Sequence, residues 1–354
     1  MRKIKKLLCI VLVLALAVSL FAFPASADNS ASQADYPFVF VHGLMGWGAR
    51  SDLDPIVPYW GMTTGNLMKY LNGKGFESYA AQVGPLSGAW DRACELYAQL
   101  TGTRVDYGIV HSGEKDHDRF GITYDEPLFN GWSADKKINL IGHSFGGATI
   151  RMFLEILTNG APEEVAAAKA AGVEVSPFFE GGRGDWVYSL TAVSAPHNGT
   201  TFIEKCDIST DVVTNFMYNL GASLGVTKLK GVYDLQLEHF GIYQKDGETD
   251  LEYLIRVLND KEFMSHNDNA IYDLTIDNAL KINDGIEMQD DVYYFSVTGD
   301  ATHYSKVTKT EVPNANMFIL LKPFAQMMGG YYDKYTPGGV YIDRTWLPND
   351  GMVN

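Results

Sequence analysis

Residues 138–157 read INLIGHSFGGATIRMFLEIL. The first four form a short apolar run, the signature of a strand buried on both faces of a parallel sheet. The run breaks at Gly142, and from about Gly147 to Leu157 the apolar residues recur with helical spacing. Between strand and helix lies Gly142-His143-Ser144-Phe145-Gly146, a match to G-x-S-x-G. A strand-to-helix turn this tight needs small flanking residues so that the serine can project from a strained backbone. It also sets Ser144 at a helix N-terminus, where the partial positive charge stabilises a developing oxyanion. Ser144 is therefore the candidate nucleophile. The Phe145 N–H, next along the chain, is one candidate oxyanion donor.

Outward from this unit the chain alternates. Phe38 to Val41 (FVFV) is another buried parallel strand, and it ends in His42-Gly43-Leu44, a turn that offers the Leu44 N–H as the second oxyanion donor. Here His42 reads as a structural turn residue. Thr63 to Leu71 has helical spacing; Tyr79 to Val83 reads as a strand and Trp90 to Leu100 as a helix. Trp186 to Val193 and Val292 to Val297 read as further buried strands. Strands alternating with helices predict an α/β fold with a mainly parallel sheet. Two stretches break the alternation and read as insertions at the functional end of the sheet: polar Thr101–Trp132, with His111 and His117, and amphipathic Thr200–Lys228.

The 354 residues are 46% hydrophobic and 20% charged, enough apolar surface for a large core and incompatible with a disordered chain. A net charge of −15 argues against nucleic acid or an anionic membrane face as partner. Arg2, Lys3, Lys5 and Lys6 precede the apolar Leu7–Phe23, and Ala25-Ser26-Ala27 supplies the small residues of a cleavage site. The pattern predicts a signal peptide over 1–27, cleavage before Asp28, and a secreted mature chain (28–354) with no stable membrane anchor; an uncleaved anchor is the alternative. Cys94 and Cys206 remain after cleavage and read as small buried residues rather than a disulfide framework.

Several segments together carry a resemblance. Phe38–Gly48 (FVFVHGLMGWG), Val83–Gly108 (VGPLSGAWDRACELYAQLTGTRVDYG), Ile141–Gly147, Phe179–Gly182, Ser194–Thr200 (SAPHNGT), Val232–Asp234 and Trp346–Asn354 (WLPNDGMVN) resemble, in order, the thermoalkaliphilic bacillar lipases and their staphylococcal relatives. At the elbow the thermoalkaliphilic members carry Ala first, and Gly142 follows the staphylococcal pattern instead. The resemblance implies an α/β-hydrolase fold, a helical lid, a zinc-bearing insertion at about 84–132 and hydrolysis of triacylglycerols.

Spacing alone makes His111 and His117, six apart, a weak metal signal. The resemblance implies structural Zn2+ on Asp91, His111, His117 and Glu238, the last replacing a shorter aspartate, with His239 as a competing ligand. It also implies Asp350 as the catalytic acid, where strand logic alone leaves Asp300 as a rival. In this fold the order is serine, acid, histidine, and no histidine follows Asp350. The expectation is a chain whose C-terminal part, with the general base and most of the Ca2+ ligands, is missing. Ile203, Val212, Val213, Phe216, Met217, Leu220 and Leu224 form the apolar face of a lid at about 200–228, or equally by periodicity a core helix pair. The expected activity is that of a secreted serine carboxylic-ester hydrolase acting on triacylglycerol at an oil–water interface. A short-chain carboxylesterase and a catalytically dead lipid-binding fragment are the alternatives; chain-length preference and oligomeric state are not legible.

Overall fold

The computed structural model describes residues 35–205 and 211–354. The expected signal peptide and Cys206 lie outside the described residues, as do the side chains of Val212, Val213 and Phe216. Cys94 is free and buried.

The centre is a five-stranded sheet. Its strands are β1 (Phe38–Val41), β2 (Ser78–Ala81), β5 (Ile138–His143), β6 (Val187–Val193) and β7 (Tyr293–Val297), in the order β2-β1-β5-β6-β7, and every pairing is parallel. The intervening β3 (Arg104–Asp106) and β4 (Phe120–Thr123) form a separate antiparallel hairpin inside the expected insertion. Because parallel strands need crossovers, the helices Ala89–Thr101 and Phe145–Asn159 return the chain, and they pack on each other. Val39, Val41, Leu140 and Leu190 from the strands meet Ala93, Leu96, Ile150, Phe153 and Leu157 from these helices in one core. The helix Ala89–Thr101 ends at Gly102 with φ 66, the left-handed conformation that a side chain resists.

One strand departs from the sequence reading. The segment around Val292–Val297 was expected to be buried, yet β7 is the outermost strand, and Tyr293, Phe295 and Val297 are each at least half exposed. A continuous apolar run reads the same in a central strand and at an edge; only the sheet order distinguishes them.

A second core lies beyond the C-terminal ends of the strands. Trp47, Leu53, Val57, Tyr233, Leu235, Leu251, Leu254 and Met217 form it. The helices Thr201–Lys205 and Asp211–Leu224 fall in the stretch expected as a lid. Met217, Leu220, Gly221 and Leu224 of the second helix wall a cavity of about 250 Å3.

Candidate active site

Ser144 stands between β5 and the helix Phe145–Asn159, as its N-cap, with φ 53 and ψ −128. Positive φ is a strained region for a non-glycine residue. The sequence makes room for it: a Cβ on Gly142 would lie 2.4 Å from the Gly146 carbonyl oxygen, and one on Gly146 would lie 2.3 Å from that of Val41. Only hydrogens fit there, so the glycines serve close backbone approach.

The turn after β1 lies against the elbow. A Cβ on Gly43 would meet Ser144 Cβ at 2.7 Å and Oγ at 3.2 Å. The amides of this turn are nearly all engaged. Gly43 N–H donates to the Tyr59 hydroxyl (3.0 Å), Met45 N–H to Pro85 O (2.9 Å) and Gly46 N–H to Gly43 O (3.1 Å). Leu44 N–H has no partner of this kind among the described residues, and Leu44 also lines the cavity. At the elbow, Ser144 N–H donates to Val193 O and Gly147 N–H to Ser144 O, which leaves Phe145 N–H open at the helix start.

Two histidines brace this region, and both are neutral. Burial pulls His42 down to about 3, helped by the charge of Arg92. Its Nδ1 is bonded to Gly43 O and its Nε2 accepts from Val83 N–H. Burial holds His143 at about 4, and its Nδ1 accepts from the Tyr59 hydroxyl at 2.5 Å. His42 is thus the turn residue the sequence suggested.

Asp350 sits in a tight turn at the same end of the sheet. Its Oδ1 accepts from Met352 N–H (2.9 Å) and Val353 N–H (2.8 Å), and burial raises its pKa. Ala301 N–H, just past β7, donates to Asn349 O; Thr200, just past β6, donates its hydroxyl to Met352 O. Asp300, the rival acid, caps its own loop through Thr302 N–H and Oγ1.

The other histidines make contacts elsewhere, and the Nδ1 atoms of His197 and His266 are buried without a hydrogen-bond partner among the described residues. His197 lies against Gly147 on the elbow helix, His266 packs on Phe240, and His303 bonds Asn314. Among the described residues no imidazole is hydrogen-bonded to Ser144.

Three of the four residues expected to hold a metal come together in a group that could hold one. Asp91, His111 and His117 do converge, but the fourth member is Asp268, and Glu238 stands outside the group. Glu238 is half-buried in a one-turn helix, Glu238–Phe240, whose next residue turns inward instead. His239, the competing ligand, is buried, and its Nε2 lies 3.1 Å from Asp91 Oδ2. The four ligand atoms fit a cation. The separations are 3.2 Å (His111 Nε2–Asp91 Oδ1), 2.9 Å (His111 Nε2–Asp268 Oδ2), 3.2 Å (His117 Nε2–Asp268 Oδ2) and 3.9 Å (His117 Nε2–Asp91 Oδ1). A tetrahedron with metal–ligand bonds of roughly 2.0 Å has edges of about 3.3 Å. Asp91 Oδ1 and His117 Nε2 are buried with no hydrogen-bond partner among the described residues, as ligand atoms facing an ion would be. Burial works against charge on Asp91, but the hydrogen bonds and charge of His111 and His239 hold its carboxyl below the ordinary range.

The comparisons with known proteins fit this geometry. The family model described as "Lipase-like, C-terminal domain" matches residues 34–354. The chain belongs to this lipase family. A lipase of Staphylococcus epidermidis is 35% identical over 333 residues, 92% of this chain and 46% of the relative. The lipase-family chain thus spans about half the length of the curated relatives it matches. Among solved structures, EstA from Clostridium botulinum superposes with a TM-score of 0.83 at 38% identity, covering 94% of this chain and 78% of that one. Lipase 1 from Pelosinus fermentans gives 0.78 at 38% identity, covering 90% and 82%. The staphylococcal likeness read from the sequence therefore extends over nearly the whole chain, and with the parallel sheet it supports an α/β-hydrolase-like fold.

Three site residues escaped the sequence reading. Asp268 lies in a short polar turn (Asn267-Asp268-Asn269) that no spacing links to the histidines. Tyr59 sits in a loop without periodicity. Arg92 carried a usable signal: with Asp91 and Glu95 it puts three charges on one helix that is otherwise almost wholly buried.

Proposed function

We propose that this lipase-family chain hydrolyses ester bonds of triacylglycerol by a serine acyl-enzyme route after export. The observation that carries the reading is Ser144 itself: a strained nucleophile elbow with two open amides on the adjoining turns, one of them that of Leu44, which also lines an apolar cavity. Ser144 Oγ attacks the ester carbonyl carbon as the general base takes its proton, and the carbonyl oxygen takes up the electron pair as an oxyanion. The Leu44 and Phe145 N–H groups donate to that oxygen; removing one such donor costs on the order of 10²–10³ in rate. Collapse returns that proton to the departing alcohol and leaves the acyl group on Oγ; water, giving its proton to the same base, then attacks the acyl carbon and frees the acid as Oγ regains a proton. Asp350 is the acid that orients the general base.

The cavity lined by Leu44, Met62, Met217, Leu224, Leu254 and Met352 takes the acyl chain. Its methionines are adaptable packing partners, which suits chains of varied length and disfavours a strict short-chain carboxylesterase. The helix Asp211–Leu224 is the lid in this reading, because its Met217, Leu220 and Leu224 wall that cavity. Asp91, His111, His117 and Asp268 hold the ion, taken as Zn2+; four protein ligands close the shell, so the ion's part is to cross-link the insertion. The signal pattern at 1–27 supports secretion, and among the described residues no helix is long and apolar enough to cross a membrane.

The test is hydrolysis of emulsified trioctanoin and of p-nitrophenyl butyrate by the protein and by Ser144→Ala. Turnover of both, abolished in the variant, supports the reading. Turnover of the soluble ester alone favours the carboxylesterase, and equal turnover with and without Ser144 removes the serine mechanism.

A further inference from the structure

Arg92 is fully buried, yet no carboxylate is among its hydrogen-bond partners. Burying a guanidinium without a paired anion costs several kcal/mol unless its donors are satisfied. Here they are satisfied by three different segments. One terminal nitrogen donates to His42 O in the turn after β1; the other donates to Gly84 O, after β2, at 2.7 Å. Nε donates to Thr149 Oγ1 on the elbow helix at 2.8 Å. Thr149 in turn donates to Phe145 O, and the guanidinium carbon lies 5.2 Å from the Phe145 ring centroid. The second side of the Gly84 turn is held by Glu95, one helical turn on, which accepts from Gly84 N–H at 2.5 Å.

These segments carry the two candidate oxyanion donors: Leu44 follows His42 by two residues, and Phe145 opens the helix that Thr149 anchors. We propose that Arg92 is the positioning residue of the oxyanion site, its planar fork setting the spacing between the Leu44 and Phe145 amides from beneath. The proposal rests on the serine-hydrolase reading of Ser144. Lysine cannot reproduce the arrangement, since an ammonium is a point charge without the rigid fork that spans three acceptors.

The experiment compares wild type, Arg92→Lys and Ser144→Ala, each checked for cooperative thermal unfolding. On p-nitrophenyl butyrate, Arg92→Lys is expected to lower kcat about 100-fold, the loss that a misplacement near 1 Å brings, with KM changed less than threefold. A folded Arg92→Lys with kcat within twofold of wild type overturns the proposal, as does a loss confined to KM. If Arg92→Lys does not fold, Thr149→Val, which removes the acceptor of Arg92 Nε together with the hydroxyl's bond to Phe145 O, carries the test with an expected tenfold loss in kcat. If wild type and Ser144→Ala turn over ester equally, the hydrolase reading has failed on its own. Hydrogen exchange then decides Arg92: amides of residues 42–46 should exchange at least tenfold faster in the variant while those of β6 stay unchanged. Equal exchange at 42–46 overturns it.

Discussion

Tyr59→Phe removes one oxygen and leaves the ring in place. The ring contacts with His42, Trp47, Trp60 and His143, at centroid separations of 5.3–5.8 Å, should survive. Two hydrogen bonds do not: the one accepted from Gly43 N–H and the one given to His143 Nδ1. An enclosed donor or acceptor left without a partner costs about 1–3 kcal/mol. With some relief from water, the pair should cost about 2–4 kcal/mol in total. For a chain of this size, each kcal/mol lowers Tm by roughly 2 °C, so calorimetry should show a fall of roughly 4–8 °C. The hydroxyl is enclosed enough that burial pushes its own pKa up to about 12, which argues against full replacement by solvent. A Tm within 1 °C of wild type would refute the reasoning, because it would mean that water satisfies both groups and the turn before Leu44 is not held by Tyr59.

The metal group makes a sharp contrast between two acids. Asp268→Ala should weaken Zn2+ binding by more than the roughly 10–100-fold that an outer-shell change costs, whereas Glu238→Ala should leave it unchanged, as read by chelator competition and by the visible spectrum of the Co2+ form. Gly146→Ala should unfold the chain or sharply lower its Tm in the same calorimetry, because the new methyl would fall 2.3 Å from Val41 O and 2.7 Å from His42 O. Acid should destabilise through His143: below the ordinary value of 6.5 the unfolded chain takes up a proton that the folded site refuses until about 4. Its contribution is therefore intact above 6.5 and falls by about 2–3 kcal/mol by pH 4.5, a loss that urea melts of His143→Gln should lack. Gly221→Leu should place a side chain in the cavity, where its Cβ meets only ordinary contacts of 3.4 Å or more; long-chain esters should lose at least tenfold in kcat/KM while butyrate esters hold.

The legible parts of this protein were those decided by local sequence. The elbow could be read because an apolar strand, two glycines and a helical period meet within twenty residues, and β1, β2, β5 and β6 follow from short apolar runs. Trp90–Leu100 proved one residue short at each end of the helix Ala89–Thr101. What failed depended on distance along the chain. Asp268 lies 157 residues from His111, and nothing local tells which acid will arrive there. At Glu238-His239 the choice of which side chain turns inward belongs to the one-turn helix, and it favoured the imidazole. The exposure of β7 is likewise a property of strand order, invisible in the run YYFSV. Arg92 and Tyr59 are enclosed polar residues whose partners, backbone groups of distant turns together with Thr149 and His143, lie far along the chain, so spacing does not reveal what they hold.

The most direct measurement is covalent labelling. The protein is incubated at length with an alkyl p-nitrophenyl phosphonate, a reagent that reports an activated serine through bond formation at phosphorus, and the adduct is located by mass spectrometry. The account predicts one adduct per chain on the peptide carrying Ser144, and none in Ser144→Ala. A folded protein that remains unlabelled at Ser144, or that takes the label elsewhere, contradicts it.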